Sequence, residues 1–312
     1  MKVLVTCPPM LRMIDAFRGT FEARGIELTC PEVTQTLGVE ALLALVPAHD
    51  GWIIGDDPAN RQVLAAGAAG RLKAAVKWGV GVDNVDFAAC RELGIRVTNT
   101  PGMFGAEVAD VALGYVIALA RETFLIDRGV REGGWPKPRG ISLAGRCAAL
   151  IGHGDIGRHV LARLRAFGLR VIVYDPTSAA PESDGVTNAV WPERCGEADF
   201  VVVTCALTPS SRHMVDARAL AAMRPGVRVV NVSRGPVIDE AALVEALRTG
   251  HVHSAALDVF EVEPLPADSP LRGFPRCVFG SHNGSNTEDA VIRASEQAMR
   301  HMFEFLGVGD GR

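Results

Sequence analysis

No apolar run in this chain is long enough to span a bilayer, and Met1-Lys2-Val3-Leu4-Val5-Thr6 gives way to Cys7-Pro8-Pro9 before an export signal could develop. A surplus of positive charge is also lacking. With 32 Lys and Arg against 36 Asp and Glu, the formal net charge is −4, and no acidic or basic tail is present, so nothing offers the surface that neutralises a nucleic-acid backbone. The seven cysteines (Cys7, Cys30, Cys90, Cys147, Cys195, Cys205 and Cys277) are odd in number, scattered and free of any Cys-x-x-Cys pair, which reads as reduced, mostly buried thiols. The eight histidines show no metal-ligand spacing, which excludes a recognisable zinc-type site. Internal repeats and low-complexity segments are missing too. These absences lead to the expectation of a soluble cytoplasmic protein with no nucleic acid, membrane or metal partner.

What is there is an alternation. At 312 residues, 48% of them hydrophobic, the chain has material for two domains with sizeable cores. Short apolar strand-like runs alternate with Ala/Leu/Arg-rich helical stretches from end to end, the pattern of parallel sheets with helices on both faces. The first series predicts strands at Lys2–Thr6, Glu27–Thr29, Gly51–Ile54, Ala74–Lys77 and Arg96–Thr98, with helices at Arg61–Ala69 and Val85–Leu93. Asn99-Thr100-Pro101-Gly102 breaks periodicity and suits a hinge. The second series predicts a long helix over Glu107–Glu122, a loop at 133–138, a helix at Arg158–Phe167, and strands at Arg170–Tyr174, Phe200–Thr204, Val227–Asn231, Ala255–Asp258 and Cys277–Phe279. Thr287–Leu306 is helical with no strand after it, so it is expected to cross back onto the first domain. The fold class expected is α/β, with two doubly wound parallel-sheet, Rossmann-like domains and an interdomain cleft. Residues 1–99 plus 286–312 form a discontinuous substrate-binding domain, and 100–285 a nucleotide-binding domain.

The second series contains Leu150-Ile151-Gly152-His153-Gly154-Asp155-Ile156-Gly157, an apolar strand running into a Gly-x-Gly-x-x-Gly turn. Glycines there let the backbone approach a pyrophosphate, whose charge then lies over the amides of a helix N-terminus. Val171-Ile172-Val173-Tyr174-Asp175 follows at the distance of the next strand. A carboxylate at its end accepts hydrogen bonds from a ribose 2′-hydroxyl and repels a 2′-phosphate, which favours NAD over NADP.

Three polar residues end later strands of the same series. Asn231-Val232-Ser233-Arg234-Gly235 delivers Arg234, Asp258-Val259-Phe260-Glu261-Val262-Glu263-Pro264 delivers Glu263, and Phe279-Gly280-Ser281-His282-Asn283-Gly284 delivers His282. Ligands of open α/β sheets bind outside the carboxyl ends of the strands. Hydride transfer at a C–OH carbon needs a group that exchanges the hydroxyl proton, a task for His282 oriented by the Glu263 carboxylate. A guanidinium at Arg234 clamps a carboxylate and polarises a carbonyl through forked hydrogen bonds.

These motifs, in this order, resemble the D-isomer-specific 2-hydroxyacid dehydrogenases. Lys77-Trp78-Gly79-Val80-Gly81-Val82-Asp83-Asn84-Val85-Asp86 is similar to the glycine-rich substrate loop of that family, especially its phosphoglycerate dehydrogenase-like branch. The resemblance runs from about Gly51 to the last helix. It implies an NAD-dependent enzyme that interconverts a small D-2-hydroxy acid and its 2-keto acid, with a site in the interdomain cleft. It implies that amides of Val80 and Gly81 hold the substrate carboxylate. His153, Asp155 and Ile156 would meet the pyrophosphate, Cys205, Ala206 and Thr208 would line the adenine side, and Val232 and Ser233 would add cofactor contacts. Asp258 and Gly284 would meet the nicotinamide carboxamide, and the helix from Glu107 would build a homodimer through the nucleotide-binding domain.

The chain also departs from the family pattern. The usual proline before the catalytic histidine is Ser281, and an amide, Asn283, follows it, which bears on the rigidity of the loop. Phe104 replaces a polar hinge residue. Lys77 takes a position where phosphoglycerate enzymes tend to carry a phosphate-binding arginine, and it reads equally as a solvated strand-end charge. Gly55-Asp56-Asp57 stands where those enzymes offer a second arginine, so a phosphate would be opposed there unless a base such as Arg61 compensates. No C-terminal regulatory domain is recognised. The substrate therefore ranges over plain, phosphorylated and phosphonate-bearing hydroxy acids. Two further readings share the fold: an NAD-sensing corepressor-like scaffold, and a phosphite- or phosphonate-directed dehydrogenase. Formate chemistry is disfavoured, since formate enzymes replace the glutamate by glutamine.

Overall fold

Strands with both faces covered read as unbroken apolar runs, and the central strands of this protein are short and almost wholly buried. A computed structural model describes residues 1–309. The chain divides into two compact units, Met1–Met103 with the segment that begins at Asn286, and Phe104–Ser285. Of the segment 286–312 assigned to the substrate-binding domain, residues 310–312 lie outside the described residues.

The first unit runs β1 (Lys2–Val5), α1 (Pro8–Arg12), α2 (Ile14–Glu22), β2 (Glu27–Thr29), α3 (Val39–Leu45), β3 (Gly51–Ile54), α4 (Arg61–Ala69), β4 (Ala74–Lys77), α5 (Phe87–Glu92) and β5 (Arg96–Asn99). All pairings are parallel, in the order β2-β1-β3-β4-β5. The helix expected over Val85–Leu93 is shorter because Asp86 caps it, its carboxylate accepting from the Ala89 amide at 2.8 Å.

The second unit runs α6 (Gly105–Arg121), α7 (Thr123–Arg131), β6 (Cys147–Ile151), α8 (Asp155–Ala166), β7 (Arg170–Tyr174), β8 (Val186–Asn188), β9 (Phe200–Val203), α9 (Ala217–Ala222), β10 (Val227–Asn231), α10 (Glu240–Arg248), β11 (Val252–Leu257) and β12 (Val278–Phe279). Its seven strands are parallel in the order β12-β11-β10-β9-β6-β7-β8. Counted from β6, this is the 3-2-1-4-5-6 order of a dinucleotide-binding sheet with one strand added, and its switch point lies between β6 and β9. The core is drawn from β6, β9, β10 and β11, whose apolar side chains are buried. Among the described residues, no helix is long and apolar enough to cross a membrane.

The last helix, α11 (Glu288–Leu306), packs on β3, β4 and β5 of the first unit. Thr287 caps it by accepting from the Ala290 amide at 3.2 Å. Ser295 accepts the Trp78 indole N–H at 3.1 Å, and Phe303 meets Phe21 edge to face with centroids 5.2 Å apart. These contacts give the apolar face of α11 the sheet partner that its own sequence neighbourhood lacks.

Candidate active site

The switch point of the second sheet is built around three glycines. Gly152, which follows β6, has φ +99°, and a β-carbon there would lie 2.6 Å from the Cys205 amide nitrogen. At Gly157 a β-carbon would overlap the carbonyl oxygen of Gly152, so α8 lies directly against the turn. Gly154 differs, with nothing within 4 Å of a β-carbon built on it. The Thr204 hydroxyl fixes the turn from β9 by donating to the carbonyls of Ile151 (3.1 Å) and Gly152 (2.9 Å).

Side chains cap α4, α5, α9, α10 and α11, whereas α8, like α1, α2, α3, α6 and α7, has no side-chain cap; its N-cap residue is Gly154. Its leading amides, at Asp155, Ile156 and Gly157, therefore face the open space beside Gly154 with a partial positive charge. A close backbone cradle of this kind, open at its middle glycine and without a side-chain cap, fits a pyrophosphate.

Asp175, just past β7, accepts from the amides of His153 (2.7 Å), Thr177 (2.8 Å) and Ser178 (2.8 Å) and from the Thr177 hydroxyl (2.9 Å). Burial alone would raise its pKa, but these donors outweigh it and hold the carboxyl below the usual carboxylate range. An ionised acceptor at the end of the second strand fits the ribose hydroxyls of NAD. His153, expected beside the pyrophosphate, lies next to Asp175. Its amide donates to Asp175, and its buried ring faces the Ser178 carbonyl at 3.0 Å. The Asp155 carboxylate is directed toward the start of α6, where a β-carbon at Gly105 would lie 2.6 Å from Oδ2. Cys205 stacks its backbone on Gly152, and burial pushes its thiol up to about 11. Ala206 and Thr208 are exposed in the following turn, where Ser211 Oγ donates to the Ala206 carbonyl at 2.7 Å and accepts from the Thr208 amide at 2.8 Å.

Arg234, Glu263 and His282 come together. Glu263 Oε2 is 2.8 Å from His282 Nδ1, and Oε1 accepts from the Phe260 amide at 2.9 Å, which fixes the carboxylate. Arg234 Nη1 is 3.5 Å from His282 Nε2 and donates to the Ser233 carbonyl at 2.9 Å. The loop bearing Arg234 is pinned to the loop bearing Glu263, because a β-carbon on Gly235 would overlap the backbone of Phe260 and Glu261. Asn231, a residue not singled out beforehand, braces it: its Oδ1 accepts from Ser233 N (3.0 Å) and Ser233 Oγ (2.8 Å), and its Nδ2 donates to the Arg234 carbonyl at 3.0 Å. An Asn opening a turn at a strand end is the signal that could have found it. Val232 is buried beside it.

Asp258 is almost wholly buried, and in this structure its carboxylate holds the histidine loop. Oδ1 accepts from Asn283 N (3.2 Å) and the Tyr115 hydroxyl (3.5 Å), and Oδ2 from Gly284 N (2.9 Å). The Asp258 carbonyl accepts from His282 N at 2.7 Å. Gly280 is needed because a β-carbon there would overlap Asp258 Oδ1. His282 itself adopts φ +54°. Tyr115, on α6, was missed in the sequence; its hydroxyl is pushed up by burial and by the Asp258 charge.

The residues expected to bind substrate, Lys77, Val80 and Gly81, belong to the first unit. Lys77, at the end of β4, is buried and paired with Asp56 Oδ1 at 3.0 Å. Val80 and Gly81 follow in an exposed or half-exposed loop, held by Asn99 Nδ2, which donates to the carbonyls of Gly79 (3.3 Å) and Val80 (3.2 Å).

A dinucleotide cradle, a carboxylate at the second strand end and a Glu–His–Arg chain at the later ones define a nicotinamide-dependent oxidoreductase. Residues 113–284 match the family described as D-isomer specific 2-hydroxyacid dehydrogenase, NAD binding domain. The chain is 36% identical over 285 residues to a hydroxypyruvate reductase of Thermotoga maritima, covering 89% of this chain and 92% of that protein. It is 38% identical over 265 residues to a D-3-phosphoglycerate dehydrogenase of Methanocaldococcus jannaschii, covering 83% of this chain but only 50% of the relative, so it spans about half the length of that protein. The crystal structure of an NAD-dependent formate dehydrogenase from Staphylococcus aureus in complex with NAD superposes with a TM-score of 0.88 at 26% identity, covering 100% of this chain and 97% of that one. This chain belongs to the D-isomer-specific 2-hydroxyacid dehydrogenases, NAD-dependent oxidoreductases with two Rossmann-like sheets.

Proposed function

We propose that the protein interconverts a small D-2-hydroxy acid and its 2-keto acid, with His282 as acid/base, Glu263 as its orienting carboxylate and Arg234 as the clamp on the substrate's carboxylate and carbonyl. The observation that carries this reading is the chain Glu263 Oε2, His282 Nδ1 (2.8 Å), His282 Nε2, Arg234 Nη1 (3.5 Å). A guanidinium has no lone pair to offer, so Nε2 facing it is the accepting nitrogen and Nδ1 donates to Glu263. With Nδ1 held by Glu263, Nε2 is the nitrogen left to exchange a proton with the reacting oxygen. When bound, NADH supplies the hydride and NAD⁺ receives it. His282 gives a proton to the carbonyl oxygen during reduction and takes it back during oxidation, while the Glu263 charge stabilises the imidazolium. The amides of Asp155, Ile156 and Gly157 and the Asp175 carboxylate would hold the cofactor, and the amides of Val80 and Gly81 would bind the substrate carboxylate.

The experiment that tests this is His282→Ala with NADH and a panel of 2-keto acids. Turnover should fall by roughly a hundredfold or more while NADH binding persists, and near-wild-type rates would refute the assignment.

We also propose a cytoplasmic homodimer assembled through the nucleotide-binding unit. α7 has no buried residue and exposes Phe124 and Val130, and Trp135 beyond it is 78% exposed. Sedimentation velocity should give a dimer that Trp135→Ser weakens; a wild-type monomer at micromolar concentration would exclude it.

A further inference from the structure

The first sheet has its own switch point, and it holds buried charges that neither the cofactor cradle nor the catalytic chain uses. In the order β2-β1-β3-β4-β5 the winding reverses between β1 and β3, the place outside the strand ends where open parallel sheets bind ligands. Thr6 follows β1, Gly55-Asp56-Asp57 follows β3, and Lys77 ends β4. The Lys77 side chain is 3% exposed; Nζ donates to Asp56 Oδ1 at 3.0 Å and to the Trp78 carbonyl at 3.1 Å. A β-carbon on Gly79 would lie 3.5 Å from the same Nζ, which places the ammonium directly against the loop that carries Val80 and Gly81.

Asp57 is fully buried behind this pair, accepting from the Thr6 hydroxyl and from the amides of Leu37 (2.7 Å) and Gly55 (3.2 Å). Arg61, the base that could offset these carboxylates, is paired instead with Glu92 of α5. The strand ends therefore present one ammonium already matched by a carboxylate, with a second carboxylate behind it. A phosphate dianion at this loop would have to displace Asp56 from Lys77 and would then face Asp57, whereas a hydroxymethyl or methyl group meets no opposing charge.

We propose that Asp56, through its ion pair with Lys77, is a specificity-determining residue that selects 2-keto acids with an uncharged C3 substituent and rejects those carrying a phosphate there. The inference rests on the keto-acid reading above and names its substrate class. The test compares kcat/KM for hydroxypyruvate and 3-phosphohydroxypyruvate with NADH, using the full chain at one pH and ionic strength. The wild type should favour the uncharged substrate by roughly tenfold or more, and Asp56→Asn, by removing the carboxylate charge that neutralises the ammonium, should move the ratio toward the phosphorylated one by roughly ten- to a hundredfold. Adding Lys77→Met to Asp56→Asn should abolish that gain. Because the ratio is taken within each variant, a general loss of activity leaves it unmoved, and Asp56→Ser serves should the asparagine variant fold poorly. Wild-type preference for the phosphorylated substrate, or a ratio unchanged in the Asp56 variants, overturns the inference and leaves the dehydrogenase reading standing. Turnover of neither substrate or any other 2-keto acid overturns both.

Discussion

Replacing Asp258 by asparagine separates two roles for a buried carboxylate: a contact to the nicotinamide carboxamide, or a brace for the histidine loop. The geometry supports the brace, with Oδ1 3.2 Å from Asn283 N and Oδ2 2.9 Å from Gly284 N. Asparagine keeps one acceptor of similar shape, but its amide nitrogen then faces a backbone N–H, so one loop amide loses its partner. Hydrogen bonds to a charged group contribute about 1.5–3 kcal/mol. For a unit of this size each kcal/mol moves the melting temperature by about 2–4 °C, so Asp258→Asn should melt roughly 3–12 °C lower. The same loop carries His282, whose amide is held by the Asp258 carbonyl, so kcat should fall by roughly tenfold while the Kd for NADH changes by less than about threefold. Differential scanning fluorimetry without cofactor, NADH fluorescence titration and steady-state rates measure the three quantities independently. An unchanged melting temperature with NADH affinity weakened tenfold or more would refute the brace and assign Asp258 to the nicotinamide.

Two glycines should respond in opposite ways. Gly235→Ala forces a β-carbon into the backbone of Phe260 and Glu261, so soluble yield and melting temperature should drop at a cost of about 3 kcal/mol or more, whereas Gly154→Ala meets nothing within 4 Å and should leave melting unchanged while weakening NADH binding roughly tenfold. Asp175 is held ionised, so NADH affinity should be flat from about pH 8 to pH 5. Because its folded pKa is depressed, its contribution to stability is present above the unfolded value and is lost as pH falls through the folded one, below about pH 4. Asp175→Ala should narrow the preference for NADH over NADPH at least tenfold in kcat/KM; an unchanged preference would remove Asp175 from cofactor selection.

The fold was legible where burial is uniform. β3, β4, β7 and β10 have the bounds expected of them, because parallel strands covered on both faces admit few polar residues in their interiors. α8 begins at Asp155, three residues before its expected start at Arg158, because Gly154 caps it through the backbone and its first turn lies inside the glycine motif. β11 begins at Val252 rather than Ala255, since His253 and Ser254 interrupt the apolar signal. Their partners are tertiary or local polar groups: Glu122 stands 3.2 Å from His253 Nε2, and Ser254 Oγ is 3.0 Å from its Nδ1. The three-residue edge strand β8 carries too short a pattern to register.

Within the candidate site, the chemical groups were readable and their supports were not. Arg234, Glu263 and His282 stand at strand ends in recognisable motifs, but Tyr115 and Asp258 are linked across 143 residues, and Lys77 and Asp56 across 21. A lysine at a strand end reads equally as a solvated charge until its partner is placed, because sequence records the charge and not its neutralisation. The same reasoning applies to Ser281, where the family pattern has proline. Local stiffness is missing at that residue, yet the loop is tied by bonds from His282 N, Asn283 N and Gly284 N to the main chain and carboxylate of Asp258, and Gly280 is small enough to let Asp258 approach. Rigidity that a proline would build into the backbone is supplied here by a buried carboxylate, so its loss follows substitution at Asp258 rather than at Ser281.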